Sequence, residues 1–254
     1  MRKFVVAAIV ATAAVGLVAL NLWNRQRPPA PTSGPFTQAE RLAQIGPPAR
    51  ERLRPAFEKA RLEYPPAQLL LVAFKHERTL ELYASSTADS PPVFLTRYPI
   101  LGASGYLGPK LREGDRQVPE GLYRLQAFNP NSRFHVSIRV DYPNEFDLAR
   151  AERDGRDQPG TDIFIHGSDL SIGCLAVGDI PAEDLFVLAA DTGLENTELL
   201  IAPYDYRDAT PAPRVDAPFW MNPVYDELRA RITALPPPPG VNNMARSSDR
   251  RSPP

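Results

Sequence analysis

The chain has 254 residues, with 29 Lys and Arg against 30 Asp and Glu, a formal net charge of −1. That balance argues against a binder of nucleic acid or another polyanion, which needs a basic excess. Hydrophobic residues at 43% and charged residues at 23% fit a globular chain and exclude a wholly disordered one. Proline is in excess, 29 residues against a usual frequency of ~5%. Nine prolines precede residue 67, eleven follow residue 202 and nine lie between, so the compact domain is expected over 67–202. One cysteine, Cys174, forbids an intrachain disulfide. With only three histidines, His76, His135 and His166, the chain cannot build a closed Cys/His zinc site. The HExxH, P-loop and GxGxxG patterns are absent, so neither metal nor cofactor is expected.

In chain order, Arg2 and Lys3 precede an apolar run from Phe4 to Trp23. A run of about 20 apolar residues can span a bilayer, and it exceeds the ~7–15 of a cleaved signal core. Residues 1–23 therefore read as a membrane anchor or export signal, which puts the rest of the chain outside the cytoplasm. Residues 24–36 form a proline-rich linker. A helical lead-in follows over 37–66. Thr37 and Glu40 make a capping box for a short helix, Gly46-Pro47-Pro48 stops it at Ile45, and a second helix runs to Leu62.

Strand signals dominate the next stretch. QLLLVAF (68–74) and Leu80–Tyr83 flank a polar turn and read as a hairpin. Val93–Leu101, Gly121–Phe128, Phe134–Val140, the short DIFIH (162–166) and Glu198–Ala202 complete the set. Gly102–Glu120 is a long loop of the kind that often carries function, and Asp141–Gly160 a second polar connection. Asp179 caps a helix with Leu185, Leu188 and Ala189 as its apolar stripe and Gly193 as its stop. Asn222-Pro223 opens a last helix with Val224, Leu228 and Ile232 on one face. Phe219 and Trp220 are expected to anchor this C-terminal extension (204–235), and 236–254 is a disordered tail. The fold class is mostly β with packed helices, a β-rich α+β domain.

The chemistry concentrates in FIHGSDLSIGCLAVGD (164–179). A thiol reacts as its thiolate, and a neighbouring imidazole both takes the proton and stabilises the charge. His166 ends an apolar strand and Cys174 follows eight residues later on a Gly/Ser loop that can fold back. Gly173 admits close backbone approach, and amide N–H groups around Gly173 and Cys174 can line an oxyanion hole. A thiol so paired should have a depressed pKa. The plainer alternative is that Cys174 is a small buried hydrophobe and His166 a satisfied strand-end residue.

The HG…SxGC pattern resembles the signature of L,D-transpeptidases with a YkuD-type catalytic domain. LLLVAFKHERTLELYA resembles the opening hairpin of that family, and RYPILGASGYLGPKLREGDRQVPEGLYRL its glycine-rich segment; NPNSRFHVSIRVDYPNEFD is similar to the YafK-like branch. The resemblance covers about 67–203 and implies a YkuD-like catalytic domain there. It implies Cys174 as nucleophile, His166 as general acid/base, Gly167 as the backbone carbonyl that orients the histidine, and Gly173 as oxyanion-hole backbone. Ser171 matches the [S/T] position, which implies a substrate contact there. Ile172 stands where the family has histidine, and Ala176 where it has Arg or Asn. The substrate implied is a peptidoglycan stem peptide.

For substrate contact, Lys110, Arg112 and Arg116 in the long loop are candidates to hold a diaminopimelate-type carboxylate, with Asp115 and Glu120 nearby. Each equally fits a solvated mixed-charge loop. Tyr106 is a candidate cleft wall and Ser168 a candidate hydrogen-bond partner near the thiol. His135 has no assigned face, and His76 is expected in solvent. The function implied is transpeptidation through a cysteine thioester, in cross-linking or protein attachment. Hydrolysis as a carboxypeptidase or endopeptidase is the alternative, and a catalytically silent wall-binding protein the second.

Overall fold

The computed structural model describes residues 35–208 and 212–239. The proposed anchor (1–23), nearly all of the linker and most of the tail lie outside the described residues. Among the described residues no helix is long and apolar enough to cross a membrane. Helix α1 (Gln38–Ala60) opens the fold, followed by β1 (Gln68–Phe74), β2 (Thr79–Ser85), β3 (Val93–Pro99), β4 (Gly121–Ser132) and β5 (His135–Val140). Then come α2 (Glu145–Arg153), β6 (Phe164–His166), β7 (Leu175–Ala176), α3 (Asp179–Thr192), β8 (Thr197–Ala202) and α4 (Asn222–Ala234). The strands form one mixed sheet in the order β3-β2-β1-β8-β4-β5-β6-β7. Pairs β1/β8 and β6/β7 are parallel and the others antiparallel. The β-rich α+β expectation is met.

The continuous apolar run of β1 has a clear cause: both of its faces are buried. Leu69, Leu71 and Ala73 join the large core with α1 and α3, whereas Val72 and Phe74 face a second core closed by Leu228 and Ile232 of α4. Strand β8 repeats the division, Leu199 and Ile201 on one side, Leu200 and Ala202 on the other. Strand β4 joins the two halves of the sheet. Its first residues pair with β8 and its later ones with β5, and the register shifts between Leu125 and Ala127 as the strand changes partner.

Several expectations need correction. One helix, not two, spans 38–60 with Pro47, Pro48 and Pro55 inside it. The Thr37–Glu40 capping box forms as expected, and Ile45, Ala49, Leu53 and Phe57 bury a stripe in the main core that outweighs the prolines. The lead-in is therefore part of the core. The polar connection 141–160 contains α2, capped by Asn144 and Asp147, with only Ala151 buried. Asp179 does not cap α3, whose N-cap is Gly178 without a side-chain bond. That helix is buried nearly all round, not on one stripe, because α1 covers the side turned away from the sheet. Phe219 is 83% exposed and anchors nothing, whereas Trp220 receives the Arg150 guanidinium at 4.6 Å.

Candidate active site

His166 closes β6 and is 3% exposed. Its Nδ1 lies 2.6 Å from the Gly167 carbonyl oxygen. A carbonyl only accepts, so Nδ1 carries the hydrogen and Nε2 keeps its lone pair in the neutral ring. The imidazole stacks on Phe134 with centroids 4.6 Å apart. Burial pushes its pKa below the ordinary value, opposed by the Gly167 bond. Gly167 is obligatory: a Cβ there would sit 2.5 Å from Asp179 Oδ1 and 2.7 Å from the Phe134 carbonyl.

Cys174 follows on the loop between β6 and β7. It shares with His166 a cleft of about 200 Å3 whose walls include Phe134, Phe164, Ser137 and Arg133. The thiol donates to the Asp162 carbonyl at 3.6 Å and not to His166. Burial pushes its pKa up, while the Phe164 N–H favours the thiolate, Asp162 opposes it and Lys110 favours it more weakly. The depressed thiol pKa expected from the sequence is therefore corrected. Burial in the cleft thus disfavours both charged forms, thiolate and imidazolium alike. A larger hollow of about 760 Å3 lies over β4 and β8, lined by Arg124, Glu198 and Arg231 among others, and holds neither group.

The loop is closed at two points. At its neck the Ser168 N–H donates to Asp179 Oδ1 (2.8 Å) and the Ser168 carbonyl accepts from Gly178 (2.9 Å). At its tip Ser171 Oγ donates to the Cys174 carbonyl (2.6 Å) and accepts from the Gly173 N–H (3.2 Å). Two expectations change here. The hydroxyl of Ser171 is engaged within the loop and shapes it. The Gly173 N–H is also taken, whereas the Cys174 N–H, like those of Asp169 to Ile172, has no hydrogen-bond acceptor among the described residues. Gly173 itself needs its glycine for a φ of +131°. Ser168 holds a left-handed φ of 64° and serves the loop neck, its hydroxyl donating to Asp169 Oδ1 at 3.4 Å and not to the thiol.

The long loop supplies less substrate-facing charge than expected. Lys110 is 6% exposed, and its ammonium donates to Asp115 Oδ1 (2.6 Å) and the Arg112 carbonyl (2.9 Å). It is a buried brace, neither a free cation nor a solvated one. Arg116 is exposed and its backbone passes beside Gly173. Tyr106 is 56% exposed and does not line the cleft; its backbone is held at both ends by Gln117. His135 pairs with Glu183 at 2.8 Å, and His76 is exposed as expected.

Sequence reasoning missed the groups that hold this loop against the sheet. Lys75, at the end of β1, donates to the carbonyls of Gly108 (2.8 Å) and Val118 (2.9 Å) and pairs with Glu120 (2.8 Å). Glu120 also accepts from the Gly108 N–H (2.7 Å) and from Tyr225 of α4 (2.6 Å). A lysine directly after an apolar strand was the available signal. Arg133 and Phe134 in the β4–β5 turn belong to the quoted NPNSRFHV segment, but nothing in that segment marked them as site residues.

No protein-family model matches the chain. The chain is 34% identical over 141 residues to "Putative L,D-transpeptidase YafK" of Escherichia coli (strain K12), and equally to its counterpart in strain O157:H7. The match takes in 54% of this chain and 54% of each relative, so the chain spans about half the length of the curated relatives it matches. Among solved structures, the helical cell shape determining protein Pgp2 of Campylobacter jejuni is 21% identical with a TM-score of 0.44, over 54% of this chain and 48% of that one. L,D-transpeptidase 1 of Mycobacterium tuberculosis is 16% identical with a TM-score of 0.30, over 53% and 62%. At those scores the solved structures add nothing to the assignment. Over the 141 matched residues the chain is similar to these two YafK proteins, and the likeness reaches no further along either chain.

Proposed function

We propose that the protein is a cysteine acyltransferase acting on peptidoglycan stem peptides, an L,D-transpeptidase working through a thioester. The observation that carries this reading is the Nδ1–H bond of His166 to Gly167, which reserves Nε2 as a base in the cleft that also holds Cys174. As the thiol leaves the Asp162 carbonyl, its proton passes to Nε2 and Sγ bonds to the substrate carbonyl carbon. The Cys174 N–H is the donor for the resulting oxyanion. When the C–N bond breaks, His166 returns the proton to the leaving amine and a thioester remains. An acceptor amine then gives its proton to Nε2, attacks the thioester and regenerates the thiol.

Water in place of that amine makes the protein a carboxypeptidase or endopeptidase. Ile172 favours keeping this second reading: it is 79% exposed at the loop rim, where the family has a polar histidine. On either reading the catalytic unit spans 67–203 with the lead-in helix α1 packed into its core, works outside the cytoplasm and is held at the inner membrane by residues 4–23. The test is mass spectrometry of muropeptides incubated with the wild type and with Cys174→Ala. New dimers indicate transfer, and shortened or released peptides hydrolysis. Identical profiles for the two proteins leave the silent wall-binding reading.

A further inference from the structure

Resting on the reading that Cys174 attacks a donor in this cleft, we propose that Arg133 reads a carboxylate on that donor. Lys110 is spent on Asp115, and neither Arg112 nor Arg116 of the long loop lines the cleft, so a cation inside the cleft must come from another segment. Arg133 is the one formally charged residue among those lining the cleft. The other walls are apolar rings and small neutral groups, Phe134, Phe164, Ser137 and Asn129. Nearby charged groups already have partners, Glu183 the His135 ring nitrogen (2.8 Å) and Arg139 the Asp162 carboxylate (3.4 Å). Arg133 is exposed and enters no ion pair among the described residues. A guanidinium in that setting suits a carboxylate, to which it can donate two parallel hydrogen bonds.

The turn that bears Arg133 is held in place. The Asn131 amide exchanges two hydrogen bonds with the backbone of Phe36, both 2.7 Å, and Arg41 donates to the Pro130 carbonyl at 2.9 Å. The start of α1 thus braces the hairpin tip. Asn129 and Ser132 satisfy backbone N–H groups within the turn (3.0 and 3.1 Å). Arg133 is a specificity residue that orients the donor, with no part in the proton transfers.

Alkylation of Cys174 by iodoacetate, relative to iodoacetamide, tests this without requiring turnover. Both reagents consume the thiolate, so their rate ratio cancels the ionisation of the thiol and reports attraction of the reagent's carboxylate. Arg133→Gln is expected to lower the iodoacetate-to-iodoacetamide ratio about 3- to 10-fold at low salt, with a smaller drop in 0.5 M NaCl. Arg133→Lys should keep most of the ratio, and Arg54→Gln, on the outer surface of α1, should not change it. An unchanged ratio in Arg133→Gln overturns the proposal, as does an equal fall in Arg54→Gln or a thiol that neither reagent reaches. Loss of the catalytic reading has a different signature, muropeptides unaltered by the wild type while the alkylation ratio still depends on Arg133.

Discussion

His166 Nδ1 and the carbonyl oxygen of Gly167 lie 2.6 Å apart, a bond between adjacent residues that fixes which face of the imidazole is basic. The bond exists because the backbone turns sharply at Gly167, where Asp179 and Phe134 leave no room for a side chain. Gly167→Ala should cost about 1–3 kcal/mol of stability by overpacking and lower kcat/KM about 10- to 100-fold by rotating the imidazole. Urea denaturation and steady-state kinetics measure the two effects. Full activity in this variant would remove Gly167 as the orienting group.

The two desolvated partners predict an unusual pH profile. Burial lowers the His166 pKa, so the base stays neutral into mild acid and the acid limb of kcat/KM falls below the ordinary imidazole value of about 6.5. Burial raises the thiol, so iodoacetamide labelling without substrate should rise with a midpoint above about 8.5. A labelling midpoint well below pH 8 would indicate a preformed thiolate–imidazolium pair.

Asp147 gives a stability prediction of definite sign. Burial pushes its carboxyl up from 3.8 to about 6, against the Asn144 backbone bond. A raised folded pKa stabilises the protein below the unfolded value, and that stability is lost as pH rises through about 6. His166 has the opposite sign: its depressed folded pKa contributes above about 6.5 and is lost as pH falls. Asp147→Asn should flatten the loss between pH 4 and 6, a change on the order of 2–3 kcal/mol, and leave the His166 slope. Urea midpoints across that range distinguish the two.

Lys75 and Glu120 tie the long loop to the sheet as a pair that is almost wholly buried, with side-chain exposures of 4% and 0%. Removing one partner leaves the other charge unpaired in the interior, so Glu120→Ala should cost about 3–5 kcal/mol. The Lys75→Met, Glu120→Leu double variant should recover much of that, because an apolar pair avoids the desolvation penalty. Equal losses in the single and double variants would show that the loop needs the hydrogen bonds to Gly108 and Val118 and not the ion pair.

Much of this was legible in the sequence, and the gaps have physical causes. The QLLLVAF run and the alternation in 134–140 marked β1 and β5 because burial imposes period and composition on strands. His166 and Cys174 were readable because a reactive thiol and base have few substitutes. The single α1 was not readable, since Pro47 and Pro48 mark a local break that the Ile45–Phe57 stripe overrides through tertiary packing. Helix α2 was missed because only Ala151 is buried and no apolar stripe shows. Lys110 misled because charge in a sequence does not say whether Asp115 will bury it. Arg133 became visible only when the hairpin tip met the cleft.

The central claim is a thioester at Cys174 formed with His166 as base. Intact-protein and peptide mass spectrometry after brief exposure to stem-peptide muropeptides tests it directly. The account predicts a donor-mass adduct on the Cys174 peptide that hydroxylamine removes, strongly slowed in His166→Ala and absent in Cys174→Ala. Peptide conversion that proceeds undiminished in Cys174→Ala would contradict it.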